Sequence, residues 1–253
     1  MTHRDDVGTD PFAEDGMAWL KKAREVINKW EDDHPDFNVY LGGGAAINTD
    51  VVNKVYGAFP MAMGITAAFV LIWIGFAFQS FLVPVRAIFT LAITIIIVYG
   101  CSVYVFQDGA LDFLHFPGLS KNAGAPGLGA LSWVTPVMSF SIVVGLGLDY
   151  DVFLICRVSE YRQLGLPTRQ AIAFGLAQTG PIITAAGAVM ALAFAGLLFS
   201  AEPTLNELSF YLVFAVLFDT LVIRTILVPA IKNILGEATW WPKRMPPVSS
   251  SFS

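Results

Sequence analysis

The stretch Gly145-Leu-Gly-Leu-Asp149-Tyr150-Asp151-Val-Phe-Leu154 decides how this chain is read. It belongs to an apolar run that begins near Leu131 and ends near Ile155. About 20 predominantly apolar residues are enough to cross a bilayer as a helix. Asp149 stands inside that run. A carboxylate at the centre of a spanning helix costs roughly 2.5–3.5 kcal/mol on insertion scales, so such a residue has a function or a partner.

Composition agrees with a membrane setting. Of 253 residues, 55% are hydrophobic and 14% charged, and the mean hydropathy is +0.64. This describes a polytopic membrane protein rather than a soluble domain. The net charge of −5 offers nothing to nucleic acid. The acidic surplus lies mostly in the first 50 residues, which read as an aqueous region. Cys101 and Cys156 are far apart and lie in or beside apolar spans, so they suggest neither a disulfide framework nor a metal site. The opening Met1-Thr-His-Arg-Asp-Asp is polar and does not read as a signal peptide.

Five segments are long enough to span: Ala58–Phe78, Val85–Phe106, Leu131–Ile155, Pro181–Phe199 and Ser209–Ile231. The hinge Gln79-Ser-Phe-Leu-Val-Pro84 makes the first two a tight hairpin. Gln107 to Ala130 is rich in Gly and Pro and reads as a loop. Between the third and fourth spans, positions 172, 176 and 177 suit a short interfacial helix. Arg86, Arg157, Arg162, Arg169, Lys232, Lys243 and Arg244 all fall on one set of loops, whereas the alternate loops hold Lys121 alone. The richer loops are expected to be cytoplasmic, which puts the C-terminus inside and residues 1–57 outside. The expected division is an extracytoplasmic segment 1–57, a transmembrane domain 58–234 and a cytoplasmic tail 235–253 of an all-α polytopic membrane protein.

The first segment has a pattern of its own. Trp19, Leu20, Ala23, Val26, Ile27 and Trp30 share one helical face. Phe37-Asn-Val-Tyr-Leu41 alternates like a strand and runs into Gly42-Gly-Gly44. One helix and one strand bury too little to stand alone, so the pattern reads as the end of a larger α+β domain. An amphipathic helix lying on the membrane is the plainer alternative.

Asp149 lies eight residues before Arg157, which places it ~12 Å deep at 1.5 Å per residue. Asp219 is also near mid-depth, and Arg224 follows five residues later. Asp151 is about 200° round the helix from Asp149, so the two meet different neighbours. A buried carboxyl that loads and unloads a proton would make Asp149 part of a relay, with Tyr150 supplying a hydroxyl. Against this stands an inert, hydrogen-bonded Asp149 and an Asp219–Arg224 pair that locks helices together or joins the relay. Gly145, Gly147, Ala185, Ala186, Gly187 and Ala188 suit close helix packing. Thr184, in the same stretch, is the one hydroxyl placed to support a carboxylate.

These residues lead to a resemblance. The stretch from Gly145 to Arg157 resembles the signature of the MMPL branch of the RND superfamily of transporters. So do Thr179-Gly-Pro-Ile-Ile-Thr184-Ala-Ala, Phe218-Asp219-Thr-Leu-Val-Ile-Arg224-Thr-Ile-Leu-Val-Pro229-Ala, and Leu235-Gly-Glu-Ala-Thr-Trp240-Trp241-Pro242. Phe78-Gln-Ser-Phe-Leu-Val-Pro84 fits the family's hinge. The resemblance covers about residues 37–244 and implies twelve helices in two repeats, each with an α+β porter domain. This chain is similar to helices eight to twelve, with residues 1–57 as a porter-domain remnant. The resemblance also implies proton-driven export of lipids or other hydrophobic molecules, with Asp149 and Tyr150 facing an Asp-Tyr pair from the other half. That half is expected as a missing partner, so the chain is read as a fragment, a split-gene product or a truncated gene model that does not transport alone. No cofactor is expected beyond the proton gradient, and the membrane is expected to be a plasma or bacterial inner membrane.

Two rival readings remain. An intramembrane aspartyl protease would pair Asp149 with Asp219. However, Gly145-Leu-Gly147-Leu148-Asp149 has one residue too many for the protease motif, so an enzyme is not expected. A lipid- or sterol-sensing module would use the same five helices without pumping.

Overall fold

A computed structural model describes residues 14–115, 119, 132–243 and 245–248. Two compact units divide the chain at Met63 and Gly64.

In the first unit, α1 (Glu14–Asp33) is followed by the start of α2 (Gly44–Phe78). Of the apolar stripe on α1, Leu20 is buried, whereas Trp19, Val26 and Trp30 stay exposed. Arg24 forks onto both oxygens of Asp50, and this hydrogen-bonded pair raises the guanidinium above its ordinary pKa. The expected strand at Phe37–Leu41 is not formed, and the described residues hold no sheet. A strand needs a second backbone to pair with. Here the Val39 N–H donates instead to the Glu31 carboxylate at 2.5 Å. The strand expected at Phe37–Leu41 is thus corrected to irregular chain between two helices. Gly43, at φ +126°, makes the turn into α2, a conformation that favours glycine.

The described residues hold five helices long and apolar enough to cross a membrane: Ala46–Phe78, Leu82–Phe106, Val134–Gln163, Thr168–Phe199 and Pro203–Trp240. Their elements are α2, α3 (Leu82–Phe106), α4 (Val134–Gln163), α5 (Thr168–Ala195), α6 (Pro203–Phe218), a π-helical segment Asp219–Leu227, and α7 (Val228–Leu235). In the second unit α4 packs against α3, α5 and α6. Large apolar side chains such as Ile72, Phe76, Ile96, Leu192 and Ile226 stand exposed, as lipid-facing positions do. The expected interfacial helix after Pro167 does not stand apart. Thr168 to Ala195 is one helix with Pro181 inside it. Its first turns are seated on α4, with Ile172 buried and Gly175 close to Val158, so α5 has no reason to break there.

Another glycine sets the approach of α5 to the last span. A Cβ on Gly187 would fall 2.6 Å from Oγ1 and 3.2 Å from Cβ of Thr220, which is itself buried. Gly187→Ala is expected to lower stability by about 1–3 kcal/mol, as overpacking does. Thermal melting of the detergent-purified protein reads this. An unchanged melting temperature would mean that α5 is free to shift.

Candidate functional site

The last span is where local structure and charge meet. In an α-helix, residues five apart are separated by about 140°. The Asp219–Leu227 segment is a π-helix, and the Val228 N–H bonds to the Ile223 carbonyl five residues back. The wider turn stacks residues five apart, so Arg224 Nε donates to Asp219 Oδ2 at 2.7 Å within one helix. Pro229 follows directly and has no N–H to continue the regular ladder. Single-turn π segments occur frequently at functional sites.

Arg224 also ties this span to α4. Its Nη2 donates to the Gly147 carbonyl at 2.5 Å, and its guanidinium lies 5.1 Å from the centre of the Tyr150 ring. Gly147 permits the approach of α3 as well, because a Cβ there would meet Leu91. The Tyr150 hydroxyl points at the Met190 sulfur of α5, 3.2 Å away.

A second buried pair lies alongside. Arg86 of α3 donates to both oxygens of Asp151, at 2.6 and 2.8 Å. Lys232 of α7 is 1% exposed and lies within electrostatic range of both. Two small cavities of about 10 Å³ each flank Asp219. One reaches Tyr150 and Thr94, the other Asp151, Thr90 and Val228. Each has room for about one water molecule and polar groups to hold it.

Asp149 sits apart from both pairs. It is exposed, accepts no hydrogen bond and forms no ion pair among the described residues. It lines an open groove of about 550 Å³ between α2 and α4, with Phe69, Trp73, Phe140 and Ser141. Asp149 and Asp219 therefore open into separate spaces. Thr184 is exposed on α5 beside the buried Ile183.

Arg86 and Lys232 were legible only as loop charges that orient the bundle, yet both are buried. For Arg86 a signal existed. It falls on the helical stripe Val83, Ala87, Thr90, Leu91, Thr94 and Val98, all buried. Glu207 of α6 was missed as well. It is fully buried and anchors the start of α4, accepting from the Ser132 N–H at 2.9 Å and the Thr135 hydroxyl at 3.0 Å.

Fold and site define an integral membrane protein with ion pairs sealed among its spanning helices. Its sequence matches the MMPL family over residues 6–116 and 124–250, and the chain belongs to that family. It is 33% identical over 206 residues to membrane protein YdfJ of Bacillus subtilis, covering 81% of this chain and 27% of YdfJ. It is 32% identical over 207 residues to the trehalose monomycolate exporter MmpL3 of Mycobacterium tuberculosis H37Rv, covering 81% of this chain and 21% of the exporter. It is 26% identical over 227 residues to the mycolic acid-containing lipids exporter MmpL11 of Mycolicibacterium smegmatis, covering 88% of this chain and 23% of that protein. The chain thus spans under a third of the length of each of these relatives.

Proposed function

We propose that this chain is the second-half membrane domain of a proton-driven exporter of lipids or other hydrophobic molecules. Asp149 and Tyr150 act in its intramembrane proton relay. The observation that carries this reading is Asp149 itself, a mid-span carboxylate without a partner among the described residues, opening onto an apolar groove. A charge in that position calls for a counterpart from outside the chain. The missing half supplies it in this reading, as the short coverage of the relatives supports. The names of the MmpL3 and MmpL11 relatives favour a lipid cargo. Residues 1–57 lie outside and the C-terminus in the cytoplasm, following the arginine and lysine bias.

The test is proton flux in inside-out vesicles from cells carrying Asp149→Asn at the native locus. An amide keeps the shape and cannot carry the proton. Flux attributable to the protein is expected to fall by roughly 10²-fold or more. Retained flux overturns the relay.

A further inference from the structure

Around the Arg86–Asp151 and Arg224–Asp219 pairs the sealed charges do not balance. Arg86, Arg224 and Lys232 are each 4% exposed or less. Opposite them stand Asp151 and Asp219, at 6% and 9%. Both arginines are engaged: Arg86 with Asp151, and Arg224 with Asp219 and the Gly147 carbonyl. Lys232 is not. Its Nζ is enclosed and has no hydrogen-bond partner among the described residues. The groups in electrostatic range are Arg86 from α3, Asp151 from α4 and Arg224 from the π segment. Glu237, on the turn that follows α7, is taken up by Arg162 and Thr168. Arg169 of α5, which also packs against α7, is exposed.

An ammonium sealed without hydrogen bonds and beyond charge balance is strongly unfavourable. Arginine does not release its proton in proteins, whereas lysine does. Lys232 is therefore the one cation of the three whose charge can change. With its amine neutral, two arginines meet two carboxylates and the cluster sums to zero.

We propose that Lys232 is the inner terminal of the proton path, the group that takes a proton from the buried carboxylates and releases it at the Trp240 end of the bundle. The inference rests on the relay reading above. A proton arriving at Asp219 or Asp151 breaks that carboxylate's ion pair. Transfer to Lys232 breaks the carboxyl O–H bond, forms an N–H bond at Nζ and restores the carboxylate to its arginine. The surplus charge then sits on the one side chain that can shed it: a swing of the flexible lysine stem brings Nζ to water, the N–H bond breaks, water takes the proton, and the cluster is reset. The cavity shared by Asp151 and Asp219 is also lined by Val228, one turn before Lys232 on α7. A water held there bridges the distance, and the flexible lysine stem closes the rest.

The experiment compares Asp149→Asn, Lys232→Met and Lys232→Arg with the unaltered protein in inside-out vesicles, each carried at the native locus. The readouts are dissipation of an imposed pH gradient at several values of pH on the exposed cytoplasmic face, and melting temperature in detergent. Lys232→Met is expected to slow flux at least roughly tenfold and to flatten its dependence on cytoplasmic-face pH. Its melting temperature should not fall, since methionine fills the same space without an orphaned donor. Lys232→Arg keeps the cation and should lose flux equally, because arginine holds its proton. Wild-type flux in a folded Lys232→Arg, or an unaltered pH profile in Lys232→Met, overturns the assignment of Lys232. If Asp149→Asn loses flux in the same preparation, the relay survives that result. Retained flux in Asp149→Asn overturns the relay and this inference with it.

Discussion

Arg224→Met is expected to destabilise the bundle by about 3–5 kcal/mol, because it leaves the Asp219 carboxylate buried without its partner. The loss is compounded at α4, where the Gly147 carbonyl and the Tyr150 ring both give up the guanidinium. Asp219→Leu together with Arg224→Met should recover most of that stability, since replacing a whole buried pair by apolar side chains is often neutral or better. Melting of the purified single and double variants in detergent measures both steps. A single variant as stable as the unaltered protein would mean the pair is not what joins the last span to α4. The double variant also separates stability from function. If the pair were only a lock, the repaired bundle would keep its flux. Lost flux in a stable double variant would put Asp219 in the path.

The π segment explains why this pair was half legible. Opposite charges at 219 and 224 are plain in the sequence, and a pairing between them was one expectation. Regular α-helical spacing turns them away from each other, so the contact within one helix depends on the wider turn. Span number was legible because it rests on apolar length alone. Burial of Arg86 and Lys232 was not, because the same positions serve equally well as cytoplasmic loop charges. Only the packing of α3, α4 and α7 around them decides. Phe37–Leu41 had the alternation of a strand and lacked a second strand to complete it. Local pattern is enough for a lipid-facing helix and too little for any structure that needs a distant partner.

Asp149 illustrates the same limit from the other side. The apolar run made it conspicuous, and a single residue, Tyr150, separates it from Asp151. The structure gives the pair opposite environments, one sealed against Arg86 and one open to the groove. A carboxylate that is already bonded by a guanidinium takes a proton only by giving up that pair. One that opens on unfilled space is available for a partner or a proton. That contrast, rather than depth in the membrane, is why the proposed relay begins at Asp149.

The two tryptophans of the closing motif should differ sharply. Trp240→Ala is expected to cost about 3–5 kcal/mol, the range for removing a fully buried aromatic side chain. Trp240 is 2% exposed and packs in the cluster that holds Val83 of α3, Val158 of α4 and Val228 of α7. Its neighbours in sequence bind the hinge between α2 and α3. The Ser80 hydroxyl donates to the Thr239 carbonyl at 2.7 Å, and the Phe81 N–H donates to the Trp241 carbonyl at 3.0 Å. Removing the indole should therefore loosen the hinge as well as the tail, and hydrogen exchange at Phe81 should rise along with the drop in melting temperature. Trp241 is 63% exposed and offers its backbone rather than its ring. Trp241→Ala should stay within about 0.5 kcal/mol of the unaltered protein in detergent, as surface substitutions do. Equal losses for the two would mean that the tail is held by both rings rather than by the buried one. A small loss for Trp240→Ala would mean that the hinge keeps its geometry through its own hydrogen bonds alone.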